Sequence, residues 1–135
     1  MSNYAEKAIE LLNVSLVTIN IANEEENWDD ERRGVAAMKM RAMEMFTCVF
    51  TGAEPKLDEG TGYSYNGTPK EDLTEDDIIR ALDELGDYIS LLSMASGKDI
   101  ALEAAASTLK YATVFAEALA GREINLNPET GFSFA

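Results

Sequence analysis

The strongest constraint on this chain is the spacing of its apolar residues. Four runs of about twenty residues repeat them at three- and four-residue steps, the mark of one face of an α-helix. The first run spans about Asn3 to Ala22, with Ala5, Ile9, Leu12, Leu16 and Ile19 in register. Val14, Leu16, Ile19 and Ile21 show fragments of alternation, but the phase breaks at Val17, so a helix explains the run better than a strand. Polar Asn23 to Asn27 ends it, and Asp29, Asp30 and Glu31 supply negative charge suited to the start of the next helix. That second helix, roughly Asp29 to Phe50, places Val35, Met38, Ala42, Met45 and Val49 on one stripe, flanked by Met43, Phe46 and Phe50. A methionine-rich stripe serves either as an adaptable binding surface or as ordinary core, and this spacing favours core.

Thr51 to about Leu73 reads as a long loop containing Gly52, Pro55, Gly60, Gly62, Gly67 and Pro69, with a small hairpin turning at Asn66-Gly67. Loops of this length are often functional. Thr74 with Asp77 then forms a capping box, with Asp in place of Glu, and opens a third helix whose seam is Ile78, Leu82, Leu85, Ile89 and Leu92. Ser96-Gly97 breaks the chain, and a fourth helix runs from near Lys98 to Ala120 on Leu102, Ala105, Leu109, Ala112, Ala116 and Leu119, with Gly121 as its stop. No internal repeat or composition shift marks a second domain. The expected fold is all-α and four-helix bundle-like, with the long loop between helices 2 and 3. Residues 1–121 form the helical domain, and 122–135 an irregular C-terminal tail.

Charge and inventory narrow the chemistry. With 25 acidic against 11 basic side chains and no histidine, the net charge is -14. Such a chain repels phosphate backbones, so direct nucleic-acid binding and adhesion to anionic membranes are disfavoured. Cys48 is the single cysteine, which excludes an internal disulfide, and thiolate zinc sites and histidine-based triads lack their ligands. A metal here would be a hard cation on carboxylates. The opening residues show no secretory signal and no apolar stretch is long enough for a membrane span, which gives the expectation of a cytoplasmic protein of a host or a virus-infected cell. Gly60-Thr61-Gly62 with Lys70 does not complete a phosphate loop, and the sequons at Asn13 and Asn66 carry no meaning without secretion.

Asp83-Glu84-Leu85-Gly86-Asp87-Tyr88-Ile89-Ser90-Leu91-Leu92 resembles the Glu-Leu-Gly/Ala-Asp helix of the MazG-like all-α nucleoside triphosphate pyrophosphatases. The resemblance runs from about Ile79 to Lys110, through the break at Ser96 to Ile100 and into Leu102-Glu103-Ala104-Ala105. It implies a helical scaffold on which two i, i+3 acidic pairs hold magnesium, which activates water to split a nucleotide between its α- and β-phosphates. Glu84 and Asp87 match the second pair, and Lys110 corresponds to a cation that contacts phosphate. The first pair, Glu-x-x-Glu, is absent from the chain, which leaves Glu44 as the one acid on the corresponding helix. Glu26 and Asp29 form another acidic pair at a helix boundary. On a helical wheel Glu84 and Asp87 fall opposite the Leu82-Leu85-Ile89 seam, where solvent or a pairing with Arg80 would serve them equally well. Leu91 lies on that same far face and Tyr88 towards its edge, so the third helix is apolar on more than one side.

Three functional expectations stand together. The first is a degenerate MazG-like pyrophosphatase using magnesium, with or without catalysis. The second is a phage-type acidic inhibitor or nucleic-acid mimic that presents acid clusters at Glu24 to Glu31 and Glu71 to Asp77 to a basic protein partner. The third is a virion or assembly component, with Tyr63 and Tyr65 in the loop and Phe132 and Phe134 in the tail as partner contacts. A homo-oligomer is compatible with each.

Overall fold

Asp29 shows how local chemistry sets the helix ends: its side chain accepts the Arg32 backbone N–H at 2.9 Å and so caps the first turn of the second helix. A computed structural model describes residues 3–96 and 99–135. Its elements are α1 (Tyr4–Glu26), α2 (Asp30–Thr51), β1 (Glu54–Asp58), β2 (Gly62–Asn66), α3 (Glu75–Ser96), α4 (Asp99–Ala120), β3 (Ile124–Asn127) and β4 (Gly131–Phe134). The expected capping box is formed: the Thr74 N–H donates to Asp77 Oδ2 at 2.9 Å, and the Asp77 N–H to Thr74 Oγ1 at 3.3 Å. The break expected at Gly97-Lys98 lies outside the described residues.

The all-α expectation is corrected to a mixed fold, because each helix pair is followed by an antiparallel two-stranded hairpin. The long loop contains one of them, and the tail expected to be irregular is the other. The first hairpin turns at Asp58 to Gly62 instead of Asn66-Gly67. Asp58 Oδ1 accepts the Gly60 and Thr61 N–H groups at 2.8 and 3.3 Å and closes the turn, while Asn66 is paired with Glu54 at the hairpin's open end. Asn127 Oδ1 accepts the Glu129 N–H at 2.8 Å in the equivalent turn of the second hairpin.

That equivalence extends over the whole molecule and corrects the reading that the chain has no internal repeat. Leu57-Asp58-Glu59-Gly60-Thr61-Gly62-Tyr63-Ser64-Tyr65 aligns with Leu126-Asn127-Pro128-Glu129-Thr130-Gly131-Phe132-Ser133-Phe134. At the same offset α2 and α4, each 22 residues long, coincide from first residue to last, and both end on a left-handed glycine, Gly52 or Gly121. The chain is two copies of a helix–helix–hairpin unit. Within each, the second strand is fixed to the unit's first helix by one device. The Tyr63 N–H donates to Asn13 Oδ1 of α1 at 2.8 Å, and the Phe132 N–H donates to Asp83 Oδ1 of α3 at 3.1 Å. The preceding glycines have φ of +90° and +92°, and a Cβ on either would lie 2.6 Å from Asn13 or 2.8 Å from Asp83. Only glycine permits that approach.

Packing follows the duplication. Ala8 and Leu12 of α1 and their counterparts Ile78 and Leu82 of α3 are all fully buried. The equivalent phenylalanines Phe46 and Phe115 meet edge to face with ring centroids 5.8 Å apart, and Phe46 also stacks on Phe50. Residues related by a pseudo-two-fold touch one another only near its axis, so the α2–α4 contact is the centre of the molecule. α2 packs on α3 as α4 packs on α1. No helix among the described residues is long and apolar enough to cross a membrane.

Candidate functional site: an apolar groove beside separated acids

The stripe of α2 expected to form core divides between two environments. Met40, Met43, Phe46 and Phe50 make the buried face, whereas Met38, Met45 and Val49 turn towards α3. There they wall a groove of about 350 Å³. Leu85, Tyr88, Ile89 and Leu92 of α3 form its second side, and Ala101 and Ala105 of α4 close one end. A further recess of about 220 Å³ shares Met45, Leu85 and Tyr88 and adds Val49 and Glu84, so the apolar track continues along the α2–α3 seam. Of its lining residues Tyr88 and Leu92 stand about half exposed, and Leu91, Met94 and Leu102 are exposed elsewhere on α3 and α4. Monomers rarely leave a cluster of this kind in water.

Glu84 and Asp87 lie on the exposed side of α3, and Glu84 borders the recess that continues the groove. Among the described residues neither side chain makes a hydrogen bond or ion pair, because Arg80 pairs with Asp77 at 3.6 Å instead of Glu84. Among the described residues Arg41, on the α2 wall, is the one cation lining the groove. The described rim thus carries the uncompensated Glu84 on one side and one guanidinium on the other.

Glu44 is elsewhere. It lines a cleft of about 430 Å³ between α1, α2 and the first hairpin, with Leu16, Asn20, Trp28, Met40 and Tyr63 among its neighbours. Burial pushes its carboxyl above the usual range, Arg41 opposes that shift and Glu54 adds to it. Glu44 therefore does not converge with Glu84 and Asp87, and among the described residues no three Asp, Glu or Cys side chains are placed to hold a metal ion. The donor set does not fit the magnesium cage that the MazG-like resemblance implies. Lys110 is exposed on α4 and lines none of these cavities. Glu26 and Asp29 serve local structure, Glu26 accepting the Trp28 indole N–H and Asp29 capping α2.

The four aromatic residues expected to meet a partner are turned inward. Tyr63 and Phe132 are buried, the Tyr65 hydroxyl donates to the Ala5 carbonyl at 3.1 Å, and Phe134 lies under Arg122 with the guanidinium 4.7 Å from the ring centroid. Burial pushes both tyrosine hydroxyls up to about 12, with Glu44 adding to the rise at Tyr63. Arg122 also grips Glu75 through two contacts of 3.0 and 3.2 Å, which ties the second hairpin to the start of α3. These residues build the hairpin docking, and most of the exposed large apolar residues that remain are on helices, with Leu57 and Leu126 on the hairpins. Tyr88, read in sequence as lying towards the edge of the far face of α3, lines the groove, whereas Leu85, Ile89 and Leu92 and the α2 wall read in sequence as packing seam or core. No protein-family model, characterised protein or solved structure matches the chain.

Proposed function

We propose that this protein is an acidic binding module that takes the apolar face of a cationic, amphipathic helix of a partner protein into the α2–α3–α4 groove. The observation that carries this reading is the groove itself, an apolar track whose continuation along the α2–α3 seam is bordered by the uncompensated Glu84. A helix laid in such a track buries apolar side chains at three- and four-residue spacing, and flanking lysines or arginines reach the acidic rim. Methionines at Met38 and Met45 adapt the wall to different side chains. A second copy of this chain is a poorer occupant, since it brings the same charge of -14 to the interface.

The test is titration of the full chain with a lysine-rich amphipathic helical peptide and with its glutamate-substituted counterpart. Binding at about micromolar Kd to the first alone, weakening steeply with salt, is expected. Leu92→Glu should lower the affinity about ten-fold or more, and Glu84→Gln should flatten the salt dependence. Equal binding of both peptides, or concentration-dependent self-association through the same face, would overturn the proposal.

A further inference from the structure

On another side of α2 from the groove, the cleft of about 430 Å³ between α1, α2 and the first hairpin holds two polar groups that the fold leaves unused. Tyr63 is only 6% exposed, and its hydroxyl makes no hydrogen bond among the described residues, although its backbone N–H is held by Asn13. That hydroxyl is not sealed in the core, because among the described residues no fully buried side-chain oxygen or nitrogen lacks a partner. The phenol tip therefore opens into the cleft that its ring lines. Glu44, half-buried in the same cleft, likewise makes no hydrogen bond or ion pair among the described residues. Glu44 adds to the upward shift of the Tyr63 hydroxyl, so the two groups are neighbours, yet no hydrogen bond joins them. The nearby cations are placed otherwise. Arg33 donates from Nε to Asn23 Oδ1 at 3.3 Å and pairs with Asp30 at 3.9 Å, while Arg41 lines the groove. Glu54, at the start of β1, adds further negative charge beside Glu44.

The second half of the molecule shows that the scaffold needs neither group. At the offset that superposes the hairpins, Thr113 stands for Glu44 and Phe132 for Tyr63. Phe132 is as buried as Tyr63 and docks through the same N–H contact without a hydroxyl. Thr113 satisfies its own hydroxyl within α4, donating to the Leu109 carbonyl at 2.8 Å. The Glu44 carboxyl, by contrast, is desolvated and unpaired. A desolvated acid in a cleft, with no structural task, marks a binding position.

We propose that this cleft binds a small primary amine that carries an apolar, ring-sized body. The ammonium donates to the Glu44 carboxylate and to the Tyr63 phenol oxygen, the two acceptors the fold leaves open. The body lies among Leu16, Met40 and the Trp28 ring. A volume of about 430 Å³ is that of a small-molecule pocket. The net charge of -14 draws a cation towards it and repels an anionic analogue. A lysine of a partner protein presents only a thin alkyl stem to these walls, which a ring fills better.

Trp28 is the chain's single tryptophan and lines the cleft, so its fluorescence reads occupancy directly. The full chain is titrated with phenethylamine, with phenylpropionate as a similar body on an acidic head, with N-acetylphenethylamine as a neutral head, and with acetyl-lysine methylamide as a partner's lysine. Phenethylamine should change the Trp28 emission saturably, with a Kd of about 0.1–1 mM, and bind about ten-fold or more tightly than the others. Glu44→Gln should weaken it about ten-fold or more and Tyr63→Phe about three-fold, while Glu84→Gln, outside this cleft, should leave it unchanged. Both cleft variants should fold, because phenylalanine at 63 copies Phe132 and glutamine at 44 removes a charge that opposes folding. Absence of a saturable change, equal binding of phenylpropionate or the neutral amide, or unchanged affinity in Glu44→Gln would overturn the proposal. Tighter binding of the lysine analogue would overturn it in favour of a partner's lysine. The groove reading stands or falls separately, on the peptide titration.

Discussion

At the scale of single residues, two carboxylates respond to their surroundings in opposite directions. Hydrogen bonds from Thr74 hold the Asp77 carboxyl below its ordinary range, so its stabilising contribution is complete above the unfolded value and is lost as pH falls through the lower folded one. Asp77→Ala should therefore cost about 1 kcal/mol near neutral pH. The deficit, read from thermal melts, should shrink as the solution is acidified. Burial raises Glu44, so the charged form opposes folding, and stability that is complete below its unfolded value is lost as pH rises through the higher folded one. Glu44→Gln should raise the melting temperature slightly, by about 1–2 °C, at neutral pH, with the gain fading near pH 4. Of the five tyrosines, Tyr63 and Tyr65, pushed up to about 12, should ionise late in an alkaline absorbance titration. Both phenols favour the folded state as neutral groups, so that contribution is present below their ordinary value and disappears as pH rises towards 12.

At the scale of elements, all four helices were legible in the sequence, because three- and four-residue apolar spacing and the Thr74–Asp77 cap are local signals. The hairpins were not. Each strand is only four or five residues long and buries a single side chain, so neither hairpin shows an extended apolar alternation. Their placement depends instead on side chains far away in sequence, Asn13 and Asp83, which no local pattern announces. A search for the short Thr-Gly-aromatic-Ser-aromatic match would have found both hairpins and the duplication. The shared docking device makes a paired prediction: Gly62→Ala and Gly131→Ala should each destabilise the fold, by about 1–3 kcal/mol, through left-handed strain and collision with Asn13 or Asp83. Denaturant midpoints of the two variants measure this. Phe132→Ala, which empties the space beside Gly86 and Leu109, should cost about 3 kcal/mol.

At the scale of the whole molecule, the acidic balance and the absence of histidine directed attention to carboxylates, but whether they converge could not be read from spacing. Glu84 and Asp87 share a helix face, while Glu44 belongs to a cleft on another side of α2. The groove was hidden for a related reason. Helical periodicity shows that Met38, Met45 and Val49 share a stripe, yet only the packing of α3 and α4 determines whether that stripe is covered. The duplicated halves differ in the lining of their equivalent cavities: Thr18, Trp28, Lys39 and Tyr111 line the one, Tyr88, Arg41 and the methionines Met38 and Met45 the other. The central claim is that this open groove receives a partner helix, and the methionines report on it directly. In the methyl NMR spectrum of the methionine-labelled chain, addition of the lysine-rich amphipathic peptide should shift Met38 and Met45, which line the groove, and leave the core residues Met40 and Met43 nearly unmoved. Saturating binding without movement of Met38 and Met45, or the absence of any shift, would contradict it.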